Sequence, residues 1–204
     1  MSRIKNCFDR LAASGRKALI PYIVAGDPAP MHTVAVMHAL VEAGADILEL
    51  GVPFSDPMAE GPTIALAHER ALEHNVSLHD ALDMVKQFRE TDEDTPILLM
   101  GYANPIERMG YEAFTKTAVE VGLDALLTVD MPPEEVGPLN DHLRAAGLDN
   151  IFLVAPTTPA RRIETIAGAA TGFIYYVSLK GVTGAGHLDI GEVAGRLAEI
   201  RAQS

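Results

Sequence analysis

Glu49 and Glu60 lie close together in the chain and carry the residue type and setting that acid–base chemistry needs. In the stretch Ile47-Leu-Glu-Leu-Gly-Val-Pro-Phe-Ser-Asp-Pro-Met-Ala-Glu-Gly-Pro-Thr-Ile64, Glu49 interrupts an apolar run just before Gly51 and Pro53 end it. It therefore belongs at the carboxyl end of a strand, where barrel enzymes build their sites. Strand alternation puts it on one face with Ile47 and Gly51, opposite Leu48 and Leu50. An ionised carboxylate in such a setting costs several kcal/mol unless paired or protonated, so its pKa should rise towards neutrality, as suits a proton donor or acceptor. A structural salt bridge to Lys or Arg of another strand is the plainer alternative. The loop that follows carries Asp56 and Glu60 among Pro53, Pro57, Gly61 and Pro62. A long, proline-stiffened polar connection of this kind is uncommon unless it serves a site, and a second carboxylate there could pair with Glu49. Taken singly, either loop acid is equally an exposed one.

Ser178-Leu-Lys-Gly-Val-Thr-Gly-Ala-Gly-His187 forms a second candidate stretch. Gly181, Gly184 and Gly186 around Thr183 make a loop whose amides could approach a phosphate, although a plain lid has the same composition. Lys180 could assist an anion or simply be solvated. Tyr22, Tyr102 and Tyr175 fall near strand ends, where phenols line pockets or fill the interior. The seven histidines show no metal-ligand spacing and most fall on predicted helices, so surface or satisfied roles are expected. Ser55 and Ser178 lack the context of a nucleophile elbow, and no phosphate-binding loop or dinucleotide fingerprint is present.

The elements that must hold these residues repeat. A leading helix is expected behind Ser2, carrying Ile4, Cys7, Phe8 and Leu11 and closed by Gly15. A strand at Ala18–Val24 and strand-like runs beginning near Ile47, Ile97, Ala125, Ile151 and Phe173 alternate with helical patterns, two of which, Thr63–His74 and Leu78–Arg89, follow the second strand. The acidic run Glu90–Asp94 reads as a solvated loop. Strands apolar on both faces imply a parallel sheet covered by helices. Periodicity alone admits either an open doubly wound sheet or six of the eight units of a barrel, which typically takes ~250 residues. No linker divides the chain, so residues 1–204 are expected to form a single domain.

Composition narrows the partners. The 204 residues are 48% apolar and 22% charged, with 28 acids against 16 bases and a net charge of −12. With no basic cluster, nucleic acid and anionic membrane are poor partners. Cys7 is the only cysteine, which excludes an intrachain disulfide and a thiolate metal site. No apolar run approaches the ~20 residues that span a bilayer. A cytoplasmic location is expected.

Taken together, Leu48-Glu-Leu-Gly-Val-Pro-Phe-Ser-Asp-Pro57, Gly61-Pro-Thr-Ile64, Tyr102-Ala-Asn-Pro105, Gly181-Val-Thr-Gly-Ala185 and the opening Pro21-Tyr-Ile-Val-Ala-Gly-Asp-Pro28 resemble the tryptophan synthase alpha family, in its order and spacing over the whole chain. The resemblance implies a TIM (β/α)8-barrel, here six βα units behind an N-terminal helix, without the last two units. It implies a carbon–carbon lyase of tryptophan biosynthesis that cleaves indole-3-glycerol phosphate to indole and glyceraldehyde 3-phosphate. By the same resemblance, Glu49 and Glu60 are catalytic, and Tyr22, Met100, Tyr102, Leu127, Val129, Tyr175, Thr183 and Gly184 bind substrate. Asp56, Pro57, Asn104 and Pro132 fall on loops that meet a beta subunit in an alpha2beta2 heterotetramer. No metal or cofactor is implied here, since pyridoxal phosphate belongs to the beta subunit. Glu60 departs from the family's aspartate, and one methylene displaces a carboxylate by about an ångström, enough to cost ~100-fold when geometry is tight. The alternative expectation is a non-catalytic fragment able at most to bind a beta subunit.

Overall fold

Six short strands run parallel and side by side in chain order: β1 (Tyr22–Val24), β2 (Leu48–Gly51), β3 (Ile97–Gly101), β4 (Ala125–Thr128), β5 (Asp149–Val154) and β6 (Ile174–Tyr176). This computed structural model describes residues 2–178 and 190–203. The stretch 179–189, with the expected loop residues Thr183 and Gly184 and also Lys180, lies outside the described residues. A doubly wound sheet reverses its strand order at a switch point. This order never reverses, so the architecture is that of a barrel wall.

Nine helices are described: α1 (Arg3–Ala13), α2 (Pro30–Glu42), α3 (Pro62–Glu73), α4 (Leu78–Arg89), α5 (Ala103–Met109), α6 (Tyr111–Val121), α7 (Gly137–Ala146), α8 (Ala160–Ala169) and α9 (Ile190–Gln203). Their starts follow local chemistry. Pro30 and Pro62 occupy first-turn positions where a missing N–H costs nothing, and Ser77 with Asp80 closes a capping box on α4. Ser2 behaves otherwise than expected of a cap: its hydroxyl donates to Asp149 Oδ2 at 2.7 Å, tying α1 to β5.

Two apolar layers separate the faces of the sheet. Leu48, Leu50, Leu99, Leu126 and Phe152 pack outwards against helix residues such as Met37, Phe88, Phe114 and Leu143. Ile47, Leu98, Ala125, Leu127 and Ile151 face inwards and are floored by Ile4, Cys7 and Leu11 of α1. At the same amino-terminal end, Asp124 accepts from Arg89 Nη2 at 2.8 Å, Arg3 Nη1 at 3.1 Å and the Ile97 amide at 2.9 Å. This end is built for stability, leaving the opposite end for chemistry. No helix among the described residues is long and apolar enough to cross a membrane.

Three expectations need correction. The first strand is shorter than Ala18–Val24 because Pro21 has no N–H to continue the ladder, although its carbonyl accepts from Glu49 N at 3.0 Å. Asn104 lies in the first turn of α5 rather than on a loop, because Pro105 is tolerated so early in a helix. The acidic run is not wholly solvated: Asp92 is half-buried and accepts from Thr95 N at 2.8 Å and Thr95 Oγ1 at 2.7 Å.

Candidate active site

Glu49 projects into the interior from β2, and its Cα is in register with Tyr22 of β1 and Leu98 of β3. The residue is only 2% exposed, and its Oε1 is buried with no hydrogen-bond partner. Among the described residues it has no ion pair, so the salt-bridge alternative fails. Burial first, and then the nearby charge of Glu60, raise its pKa to about 7. Both protonation states are thus accessible at neutral pH.

Glu60 reaches the same space from the loop between β2 and α3. It is half-buried, and burial raises its pKa also. Tyr22 and Tyr175 complete the group, since burial first, and then the charges of both carboxylates, push each phenol above its usual range. Met100 and Val129 are half-buried along the wall, Leu127 is fully buried, and Tyr175 is 38% exposed at the rim. The wall is apolar and aromatic with two carboxylates set into it.

The loop carrying Glu60 is held by the Tyr102 phenol on one side and the His68 imidazole on the other. Tyr102 stacks on Phe54 with centroids 4.7 Å apart, and its Oη accepts the Ala59 amide at 3.1 Å, one residue before Glu60. On the other side, the Phe54 amide donates to His68 Nδ1 at 3.0 Å, and His68 Nε2 lies 3.4 Å from Tyr22 Oη. Sequence reasoning missed His68. The signal was present, since His68 shares the apolar face of α3 with Ile64, Ala67 and Ala71, where a histidine is out of place.

The remaining predicted residues are elsewhere. Asp56 is exposed and accepts from Ser55 Oγ at 2.6 Å. Pro57, Asn104 and Pro132 lie at the surface around the same end. No group of His, Cys, Asp or Glu among the described residues could hold a metal ion.

A parallel βα wall floored at its amino end, with a buried carboxylate of raised pKa on the inner face, defines a barrel enzyme of the acid–base class. The comparisons with known proteins give the particular family. The profile of the tryptophan synthase alpha chain matches residues 8–204. The chain is similar to the tryptophan synthase alpha chains of Thioalkalivibrio sulfidiphilus, 62% identical over 204 residues, and Chromobacterium violaceum, 60% identical over 203, covering all of this chain and 77% of each relative. Among solved structures it is similar to the alpha subunit of Legionella pneumophila, with a TM-score of 0.93 at 49% identity, covering 100% of this chain and 75% of that one. The tryptophan synthase of Mycobacterium tuberculosis gives 0.92 at 38% identity, covering 100% and 77%. The chain belongs to the tryptophan synthase alpha chain family, whose members are lyases of tryptophan biosynthesis.

Proposed function

We propose that this chain cleaves indole-3-glycerol phosphate to indole and glyceraldehyde 3-phosphate by a retro-aldol reaction, with Glu49 as the general acid and base. The observation that carries this reading is the position of Glu49: buried on the inner face, its Oε1 without a partner among the described residues, and with a pKa raised to about 7. Its protonated carboxyl gives a proton to indole C3. The resulting carboxylate then removes the proton of the side-chain hydroxyl. As the C–C bond breaks, its electron pair returns to the indole ring, the aldehyde departs, and Glu49 is left protonated for the next turnover. Glu60, as a carboxylate, accepts the indole N–H and stabilises the positive charge that develops on the protonated ring.

In this reading Tyr22, Met100, Tyr102, Leu127, Val129 and Tyr175 form the wall around the indole, while Thr183 and Gly184 belong to the loop over the substrate. Residues 1–204 act as one barrel domain. Family identity implies partnership with the beta subunit, and Asp56, Pro57, Asn104 and Pro132 supply the meeting surface of an alpha2beta2 assembly. Pyridoxal phosphate belongs to that partner, and the alpha chain needs no cofactor. The cytoplasm is the proposed compartment.

The test is indole release from indole-3-glycerol phosphate, measured with the beta subunit present, for the parent and Glu49→Gln. The variant should lose at least 90% of parent turnover while retaining binding of a substrate analogue. Turnover above a tenth of parent would remove Glu49 from the mechanism.

A further inference from the structure

Pro53 carries no N–H, so the ladder between β2 and β3 ends with the Val52 amide, which donates to the Met100 carbonyl at 2.8 Å. The next amide, that of Phe54, needs an acceptor outside the sheet and finds it in α3, where His68 Nδ1 lies 3.0 Å away. An amide can only donate, so Nδ1 carries no proton and the neutral ring holds its proton on Nε2. Burial pushes the imidazole pKa below its usual value and favours this neutral form. Nε2–H then donates to Tyr22 Oη, but at 3.4 Å this contact is long, whereas the amide bond has an ordinary length. The stronger hold is on Phe54.

From Phe54 the contacts run on to Glu60. The Phe54 ring stacks on Tyr102 with the two planes 21° apart, Tyr102 Oη accepts the Ala59 amide at 3.1 Å, and Glu60 is the next residue. The loop is thus pinned near its start to α3 and near its end to the residue that follows β3. His68 has no part in the chemistry just described, yet it is only 2% exposed, on a helix face shared with Ala67 and Ala71. An apolar residue there would pack as well but would offer Phe54 no acceptor.

We propose that His68 is a positioning residue for Glu60: by accepting the Phe54 amide it seats the Phe54 ring on Tyr102, and this stacked pair holds the part of the loop that presents the Glu60 carboxylate. The consequence for turnover rests on Glu60 acting as proposed above, whereas the restraint on the loop does not. A misplacement of about an ångström can cost ~100-fold in rate, so loss of the restraint falls on the chemical step.

Nitrogen NMR and amide hydrogen exchange on the 204-residue chain test the restraint. The His68 ring should show an unprotonated Nδ1 coupled across the hydrogen bond to the Phe54 amide; a protonated Nδ1 would overturn the proposal before any substitution is made. In His68→Ala the Phe54 and Ala59 amides should exchange about tenfold faster, the worth of one hydrogen bond. The Ile97 amide, bonded to Asp124 at the amino-terminal end, should keep its parent rate. Equal acceleration at Ile97 would mean that His68 merely supports the fold. His68→Asn puts an amide oxygen close to the place of Nδ1 and should restore both slow rates. His68→Gln, whose amide reaches the place of Nε2, should not, and the reverse pattern would move the hold to Tyr22. With the beta subunit present, His68→Ala should lower kcat for indole release by about tenfold or more at an unchanged KM, and should cost nothing further in a Glu60→Ala background. An undiminished loss in that background would detach His68 from Glu60. A parent chain that releases no indole would count against the proposed reaction, and the exchange rates would still decide the restraint.

Discussion

The Tyr22 phenol lies directly against the bare Cα of Gly51, so that a Cβ there would stand 2.2 Å from Oη and 2.6 Å from Cζ. The ring reaches its place beside Glu49 only because the interior of β2 is empty at that point. Gly51→Ala should therefore displace the ring and destabilise the fold by about 1 to 3 kcal/mol, the usual cost of overpacking. Urea denaturation measures this, and Tyr22→Leu in the same chain should recover most of the loss. A Gly51→Ala protein as stable as its parent would show that the ring has room to retreat.

Glu49 makes stability depend on pH with a definite sign. Its folded pKa, about 7, lies above the ordinary 4.5, so the folded state binds more protons than the unfolded one between those values. Stability contributed by this residue is intact below about pH 4.5 and is lost as pH rises through 7. Glu49→Gln, which never ionises, should gain on the parent across that window, approaching about 3 kcal/mol at pH 8. Thermal unfolding of both proteins from pH 4 to 8 gives the comparison; a constant difference would contradict the elevated pKa.

By the resemblance drawn from the sequence, Glu60 stands where an aspartate is expected and carries one methylene more. Tyr102 Oη accepts the neighbouring Ala59 amide at 3.1 Å and so restrains the loop that presents it. Glu60→Asp should raise indole turnover, by up to about a hundredfold if the displacement is a full ångström. Lower turnover after this change would show that the site is shaped around glutamate.

Asp124 gathers two guanidinium groups at the amino-terminal end, with side chains 5% exposed for Asp124 and 10% for Arg89. Burial raises the pKa of the acid and lowers that of Arg89, and their mutual contact opposes both shifts. Removing one partner strands the other, so Asp124→Ala should cost about 3 to 5 kcal/mol. Calorimetry would read this directly. A loss below about 1 kcal/mol would mean that water reaches Arg89.

Alternation alone was enough to place Glu49, because the strand is apolar on both sides and a charge within it had to be either paired or shifted. The strand starts were legible for the same reason. Barrel and open sheet could not be told apart, since periodicity is blind to which strands become neighbours. The short α5 was hidden by Asn104 and Pro105, which mark a turn as readily as a helix start. His68 escaped because its meaning depends on Phe54, fourteen residues earlier, and on Tyr22 across the strand. Glu60 was legible as a candidate, but its convergence with Glu49 depends on loop geometry that no local pattern encodes.

The floor of the barrel has an implication for the order in which this polypeptide is made. Ser2 is anchored on Asp149, 147 residues away, and Arg3 on Asp124, 121 residues away. On the ribosome, at about 5–20 residues per second, the first helix waits roughly 7 to 30 seconds for its seat. Through that interval Ile4, Cys7 and Leu11 have only the earlier-made members of their cluster, Ile47 and then Leu98, to pack against. The segment born first is among the last to be housed, so protection of the amino terminus from proteolysis marks the moment when five strands have come together.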